Sequence, residues 1–114
     1  MKLSECLRKG LIKKDAGAKN NVKSSIRIAV KFLNSAKRNF QIGEYETVEI
    51  MGYNSAFHLA RALLFHKGYK ERSHHCLAVA IRELYKNEQK LSELIDTFDE
   101  LRMSRHNVQY GAAG

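Results

Sequence analysis

The sequence has no proline among its 114 residues, and it has no long apolar run. Because proline interrupts helices, its absence favours long, continuous helices. No apolar run approaches the roughly 18 residues that a membrane-spanning helix needs, and residues 1–6 lack the hydrophobic core of a signal peptide. We therefore expect a helical, cytoplasmic protein that is neither exported nor inserted in a membrane.

Cysteine is also scarce, with Cys6 and Cys76 as its two occurrences. A chain of this length buries enough surface to fold as one domain without disulfides or a structural metal. The two cysteines lie far apart in the sequence and in different surroundings. We expect both to be reduced thiols, as is usual in the cytoplasm.

Several catalytic and metal-binding motifs are missing. The chain has no glycine-rich phosphate loop, no paired CxxC motif and no HExxH motif, which argues against nucleotide-loop ATPases, zinc ribbons and zincin proteases. His74, His75 and Cys76 are consecutive, but adjacent side chains on a helix point about 100° apart and do not converge on one ion. We expect no metal and no cofactor, and we interpret His58 and His66 as exposed or capped residues.

The net charge of +8 is concentrated in the first part of the chain. Residues 1–41 contain eleven basic and two acidic side chains, whereas the remaining residues contain nine basic and ten acidic ones. This basic segment suits an anionic partner, either nucleic acid or an acidic protein. It lacks the aromatic anchors of an interfacial membrane helix. The alternative is a solvated basic face that serves solubility alone.

Apolar residues recur at intervals of three and four, which predicts an all-α, antiparallel up-and-down bundle of four to five helices in one domain, residues 1–114. Residues 1–20 form a polar lead-in that could cover part of the core. Gly43 and Gly68 are expected to end helices, and Ser73 to begin one as its N-cap. The predicted long helices span residues 21–41, 44–67, 74–86 and 89–110. The first should bury one apolar face: Val22, Ile26, Ala29, Val30, Leu33, Ala36 and Phe40.

Two sets of residues have spacings that suggest function. Tyr45, Tyr53 and Phe57 could stack on bases, although aromatic residues at helical spacing more commonly pack in a core or a subunit interface. The other set lies near the end of the chain. Arg102, His106 and Tyr110 step by four along the last helix, with Arg105 one residue aside. A guanidinium, an imidazole and a phenol together suit phosphate chemistry, although the helix macrodipole alone also favours basic residues here.

Three stretches, residues 36–40, 55–64 and 105–111, resemble the HEPN domain family, in particular its small stand-alone members. The resemblance implies an antiparallel bundle that forms a homodimer and brings two copies of an Arg-(four to six residues)-His motif together across a cleft. Active members of the family are metal-independent endoribonucleases. Many are toxins of toxin–antitoxin pairs, with a minimal nucleotidyltransferase as partner.

Carried over to this chain, the motif arginine is Arg105, and Tyr110 stands where the family has its histidine. Pairing Arg102 with His106 instead leaves three intervening residues, one fewer than the family pattern. The resemblance makes Arg105, His106 and Tyr110 the catalytic candidates, with Arg102 and Asn107 as binding residues. Members of the family usually continue into another helix after the motif, so we expect that helix to be missing or its place to be covered by a neighbouring subunit.

Three functions are compatible with these features. The first is an endoribonuclease with a composite site at a dimer cleft. The second is a non-catalytic module that binds a nucleotide or RNA in the same cleft and docks a nucleotidyltransferase. The third is a purely structural dimer, in which the arginines pair with acidic residues one turn earlier.

Overall fold

The computed structural model describes residues 1–110, with side chains described for residues 1–103. The described part is an all-α bundle with one small two-stranded sheet, as expected from the sequence. None of its helices is both long and apolar enough to cross a membrane. The elements are α1 (Leu3–Arg8), β1 (Ile12–Lys14), a 3-10 helix (Ala18–Asn21), α2 (Val22–Gln41), α3 (Tyr45–His66), β2 (Tyr69–Glu71), α4 (His74–Leu84) and α5 (Gln89–Tyr110).

The four long helices begin and end within two residues of the predicted positions. Gly43 and Gly68 follow α2 and α3 with φ angles of 77° and 86°, a left-handed conformation that glycine adopts without steric cost. Ser73 is the N-cap of α4, since its hydroxyl oxygen accepts a hydrogen bond from the Cys76 N–H at 3.2 Å. These three residues set the connections of the bundle.

The N-terminal segment is more structured than the expected lead-in. Strand β1 pairs antiparallel with β2, with Ile12 opposite Glu71. Ile12 and Cys6 are completely or almost completely buried in the core, so the segment contributes directly to the hydrophobic interior. The backbone pairing of β1 with a strand that follows α3 holds this segment against the bundle.

Cys6 and Cys76 form a disulfide, and the expectation of reduced thiols is wrong for this structure. The pairing of β1 with β2 places α1 beside the start of α4, with the two cysteine Cα atoms 5.9 Å apart, a separation that suits a disulfide. The thioether sulfur of Met1 lies 3.6 Å from both cysteine sulfurs. The bond joins the first helix to the fourth across 70 residues of sequence.

The core is centred on α3, which packs against α2, α4 and α5. Tyr53 stacks on Phe98 of α5, with ring centroids 5.5 Å apart, and Leu64 is fully buried. From α4, Leu77 and Ile81 fill the space between these helices. Helix α5 is therefore held firmly through its first half, and this determines where its later residues emerge.

Helix α2 packs on α3 through small residues, not through the apolar face predicted from the sequence. Ser25, Ala29 and Ala36 are buried, and the Ser55 hydroxyl of α3 donates a hydrogen bond of 2.8 Å to the Ala29 carbonyl. Small side chains allow the two helices to approach closely. The larger apolar residues of α2 remain on the surface: Ile26, Ile28, Val30, Leu33 and Phe40.

Candidate functional site

All five candidate site residues belong to α5, and the helical backbone continues through Tyr110 as predicted. The side chain of Arg102 is described, whereas Arg105, His106, Asn107 and Tyr110 lie outside the described side chains. The roles expected for these four residues therefore stay predictions. Only the neighbourhood of Arg102 can be compared with the sequence expectation.

Arg102 belongs to a small network of arginines and aspartates between α4 and α5. Its Nε lies 3.4 Å from Oδ1 of Asp99, and the other Asp99 oxygen is 2.7 Å from Arg82 Nη1. Arg82 also contacts Asp96, with Nη2 and Oδ1 2.8 Å apart. Two arginines thus face two aspartates. A phosphate that approaches Arg102 has to compete with Asp99, although partly exposed pairs of this kind are weak.

Helix α2 carries a large positive charge that other side chains do not neutralise. It contains five basic residues and no acidic residue: Lys23, Arg27, Lys31, Lys37 and Arg38. All five are exposed, and among the side chains of residues 1–103 none forms an ion pair with them. Arg27, Lys31 and Arg38 follow one another at intervals of four and seven and so lie along one line of the helix. This line is the most basic continuous surface in the described part.

The aromatic residues of α3 divide into core and surface. Tyr53 is buried and Phe57 packs against the core, which confirms the packing interpretation for both. The Tyr53 hydroxyl lies 2.8 Å from Nδ1 of His74, and the Phe57 ring is 4.3 Å from that of His74. Tyr45 is exposed and contacts only the edge of Phe40 among the described ring pairs. No base-stacking platform is formed by the three aromatic residues together.

His58 is half-buried between α2 and α3, whereas His66 is exposed as expected. The imidazole of His58 stacks on Phe32 at 5.6 Å, and its buried Nδ1 has no hydrogen-bond partner among the described residues. Burial, and secondarily the charge of Arg61, lowers the pKa of His58 below its usual value. The environment therefore favours the neutral imidazole.

Arg61 and Glu71 form an ion pair that the sequence does not reveal. Arg61 Nε donates to Glu71 Oε1 at 2.8 Å, and the Glu71 side chain is only 5 % exposed. Burial raises the pKa of Glu71, and Arg61 opposes that rise. The guanidinium also lies over the rings of Phe57 and Phe65, 5.6 and 5.1 Å from their centroids. Arg61 thus ties α3 to β2 and is engaged on all these contacts.

Replacing His58 with phenylalanine is expected to stabilise the protein. The substitution keeps the stacking on Phe32 and removes a buried nitrogen without a partner, a group that costs about 1 kcal/mol or more. Because the folded pKa of His58 lies below that of the unfolded chain, the native protein loses stability as the pH falls through the unfolded value of 6.5. Urea unfolding at neutral and mildly acidic pH should show a smaller loss for His58→Phe than for wild type. A loss of equal size in both proteins would contradict this account.

The run His74-His75-Cys76 lies at the start of α4, where Cys76 is bound to Cys6. Among the described residues, no group of three histidine, cysteine, aspartate or glutamate side chains is placed to hold a metal ion. The disulfide and the Tyr53 contact of His74 account for two of the three residues.

The fold is thus an all-α bundle with a basic outer helix and a last helix that carries the Arg-rich motif. The sequence model of the HEPN domain matches residues 22–114, and the chain belongs to the HEPN domain family. No curated protein and no solved structure matches the chain. Helix α1, strand β1 and the first residues of the 3-10 helix precede the matched region.

Proposed function

We propose that this protein acts on RNA as a metal-independent endoribonuclease, with a composite site at the end of α5 in a homodimer. Membership of a family whose members often act as ribonucleases or bind nucleotides supports the class of activity. The observation that carries the proposal for this chain is the basic line of α2, whose cations have no carboxylate partners among the described residues. Such a surface attracts the phosphate backbone of RNA through its charge.

In the proposed mechanism, Arg105 holds the scissile phosphate and stabilises the negative charge that develops on its oxygens. His106 acts as the general base, takes the proton of the RNA 2′-hydroxyl and so promotes attack of that oxygen on the adjacent phosphorus. The P–O5′ bond breaks, the leaving oxygen takes up a proton, and the products carry a 2′,3′-cyclic phosphate and a 5′-hydroxyl. Arg102 and Asn107 bind flanking groups of the RNA, and Tyr110 donates a hydrogen bond.

A second candidate is a non-catalytic module that binds RNA or a nucleotide and docks a minimal nucleotidyltransferase. Two observations favour it. Tyr110 occupies the position of the motif histidine, and a phenol with an ordinary pKa near 10 is a poor base at neutral pH. Arg102 already contacts Asp99, which weakens its availability for phosphate. Salt-dependent RNA binding without cleavage distinguishes this candidate from the enzyme.

Arg105→Ala is expected to abolish cleavage of labelled RNA in excess chelator, because the phosphate loses its guanidinium. Loss of one such electrostatic contact typically costs on the order of 10² to 10³ in rate. The products should be analysed for cyclic phosphate ends. Lys90→Ala is the matched control, since it removes one exposed positive charge from the same helix, away from the motif.

Two results would contradict the enzymatic proposal. The first is the absence of cleavage by the wild-type protein across a range of RNAs, and the second is equal loss of activity in Lys90→Ala and Arg105→Ala. RNA binding measured at increasing salt tests the role of α2 separately. The affinity should fall as salt rises, with a shallower dependence when Arg27 and Lys31 are replaced by glutamine.

A further inference from the structure

Large apolar side chains remain exposed along one line of α2. Ile26, Val30, Leu33 and Phe40 are between 43 % and 62 % exposed. Their intervals of four, three and seven are those of a heptad seam, which on a helix forms a single straight stripe. We call these four residues the α2 stripe. A stripe of this kind at full length is typical of a helix that packs against another helix.

The α2 stripe is distinct from the side of α2 that packs on α3. The buried residues Ser25, Ala29 and Ala36 each precede a position of the heptad seam by one, and successive residues point about 100° apart. The basic line of Arg27, Lys31 and Arg38 follows the seam by one residue. Helix α2 thus presents three parallel lines in order, one buried on α3, one apolar and exposed, and one basic and exposed.

The apolar surface continues from α2 across α3 to α5. Phe40 at the end of the stripe contacts Tyr45, with ring centroids 5.7 Å apart, and Leu59 lies fourteen residues after Tyr45, on the same side of α3. Leu59 in turn lines an apolar groove with Leu94 of α5, which is 58 % exposed. The exposed residues of the three helices therefore belong to one surface.

The position of Leu59 shows that this surface lies between α2 and α5. Residues four apart advance by about 40° around a helix. Ser55 faces α2 through its hydrogen bond to Ala29, and Leu63 lines the groove with α5. Leu59, four residues from each, points between them. Helices α2 and α5 flank an exposed apolar strip of α3.

The size of this surface suits a stable dimer. Helix α2 has 20 residues and is therefore about 30 Å long at 1.5 Å per residue. Neighbouring helices lie about 8–10 Å apart, so three helices span roughly 20–30 Å between the first and the last. The product is of the order of the 800 Å² per partner that standard interfaces bury.

Charge decides which helices meet across such an interface. Helix α2 carries five basic and no acidic side chains, whereas the described part of α5 carries Glu93, Asp96, Asp99 and Glu100 against Lys90 and Arg102. A two-fold axis parallel to the helices places α2 of each copy opposite α5 of the other, which brings opposite charges together. An axis across the helices places α2 opposite α2 and brings ten positive charges together.

We propose that a second copy of this chain packs on the surface formed by the α2 stripe, Tyr45, Leu59 and Leu94, with α2 of each copy opposite α5 of the other. The inference rests on the proposed function, because it names the face through which the composite site is assembled. It places α5, the helix of the Arg105 motif, in the interface of both copies.

Sedimentation equilibrium of Leu33→Glu tests the surface. Wild type is expected to be dimeric, and a buried glutamate in the interface should weaken the dimer by about 30-fold or more, as for an interface hot spot. Ile28→Glu is the matched control, since Ile28 is exposed on the same helix but outside the heptad seam, and it should leave the dimer intact. Circular dichroism of each variant checks that the helices remain folded.

The pairing of α2 with α5 is tested by cross-linking and by salt. Val30→Cys mixed with Leu94→Cys should form an intermolecular disulfide under mild oxidation, whereas Val30→Cys alone should form little. The dimer should also weaken as salt rises, while an α2–α2 pairing would strengthen. Cross-linking of Val30→Cys alone would overturn the pairing.

A monomeric wild-type protein, or a dimer that Leu33→Glu leaves unchanged, would overturn the whole proposal. A wild-type monomer that cleaves RNA would reject this surface but keep the proposed function. A dimer of the expected kind that neither binds nor cleaves RNA would reject the function but keep the surface. RNA binding lost in Leu33→Glu while the dimer persists would instead mark the stripe as part of the RNA surface and overturn the dimer assignment.

Discussion

Reduction of the Cys6–Cys76 disulfide is expected to lower the free energy of unfolding by about 2–5 kcal/mol. The bond closes a loop with a sequence separation of 70, and such a cross-link restricts the unfolded chain far more than the folded one. Both cysteines are fully buried, so the bond also lies inside the core that it stabilises. Urea unfolding of the oxidised protein, with and without a thiol reductant, measures the difference at one protein concentration.

The double variant Cys6→Ala and Cys76→Ala separates the bond from other effects of the reductant. Its stability should be low and should not respond to reductant, whereas the wild-type stability should fall toward it. A wild-type protein with the same stability in both conditions, and with two free thiols by titration in the oxidised sample, would show that the pair is not bonded. The original expectation of reduced thiols would then be correct.

The disulfide illustrates which parts of the fold the sequence predicts poorly. Helix ends follow from local signals, and Gly43, Gly68 and Ser73 fix three of them because a glycine with positive φ or an N-cap hydroxyl acts on its immediate neighbours. The proximity of Cys6 to Cys76 depends on the pairing of β1 with β2, two strands of three residues each. Strands this short leave almost no periodic pattern to detect.

The exposed stripe of α2 has a related explanation. Ile26, Val30, Leu33 and Phe40 are more hydrophobic than Ser25 or Ala29, so periodicity predicts that the larger residues face the core. In the structure, the neighbour of α2 is the tightly packed α3, and the Ser55 hydrogen bond to Ala29 fits only where side chains are small. A helix with two apolar sides has two partners, and the sequence alone does not rank them.

The candidate site divides in the same way. The motif around Arg105 is contiguous on one helix, so spacing and resemblance locate it without a structure. The pair Arg61–Glu71 and the stacking of His58 on Phe32 join residues of different elements and carry no local signature. They account for the polar residues of α3 as structural groups. The remaining question of chemistry then centres on α5, where Tyr110 departs from the family pattern.

Tyr110→His is expected to raise the rate of RNA cleavage by about 10² to 10⁴, the range that a well-placed general acid or base contributes. A histidine at this position completes the Arg-(four residues)-His spacing with Arg105, and its usual pKa near 6.5 allows proton transfer at neutral pH. The rate should be measured on labelled RNA in excess chelator, so that no metal ion supplies the base. The pH profile should gain a limb near the pKa of the new imidazole.

Two control variants determine what such a gain means. Tyr110→Phe removes only the hydroxyl, so its cleavage rate should fall if the phenol donates a hydrogen bond to the phosphate. Tyr110→His combined with Arg105→Ala should return to background, because the new base has no anchored phosphate on which to act. An unchanged rate in Tyr110→His would mean that residue 110 does not face the scissile bond. Since α5 is helical through this residue, the base would then have to be His106, one turn earlier, and the family pattern would not apply to this chain.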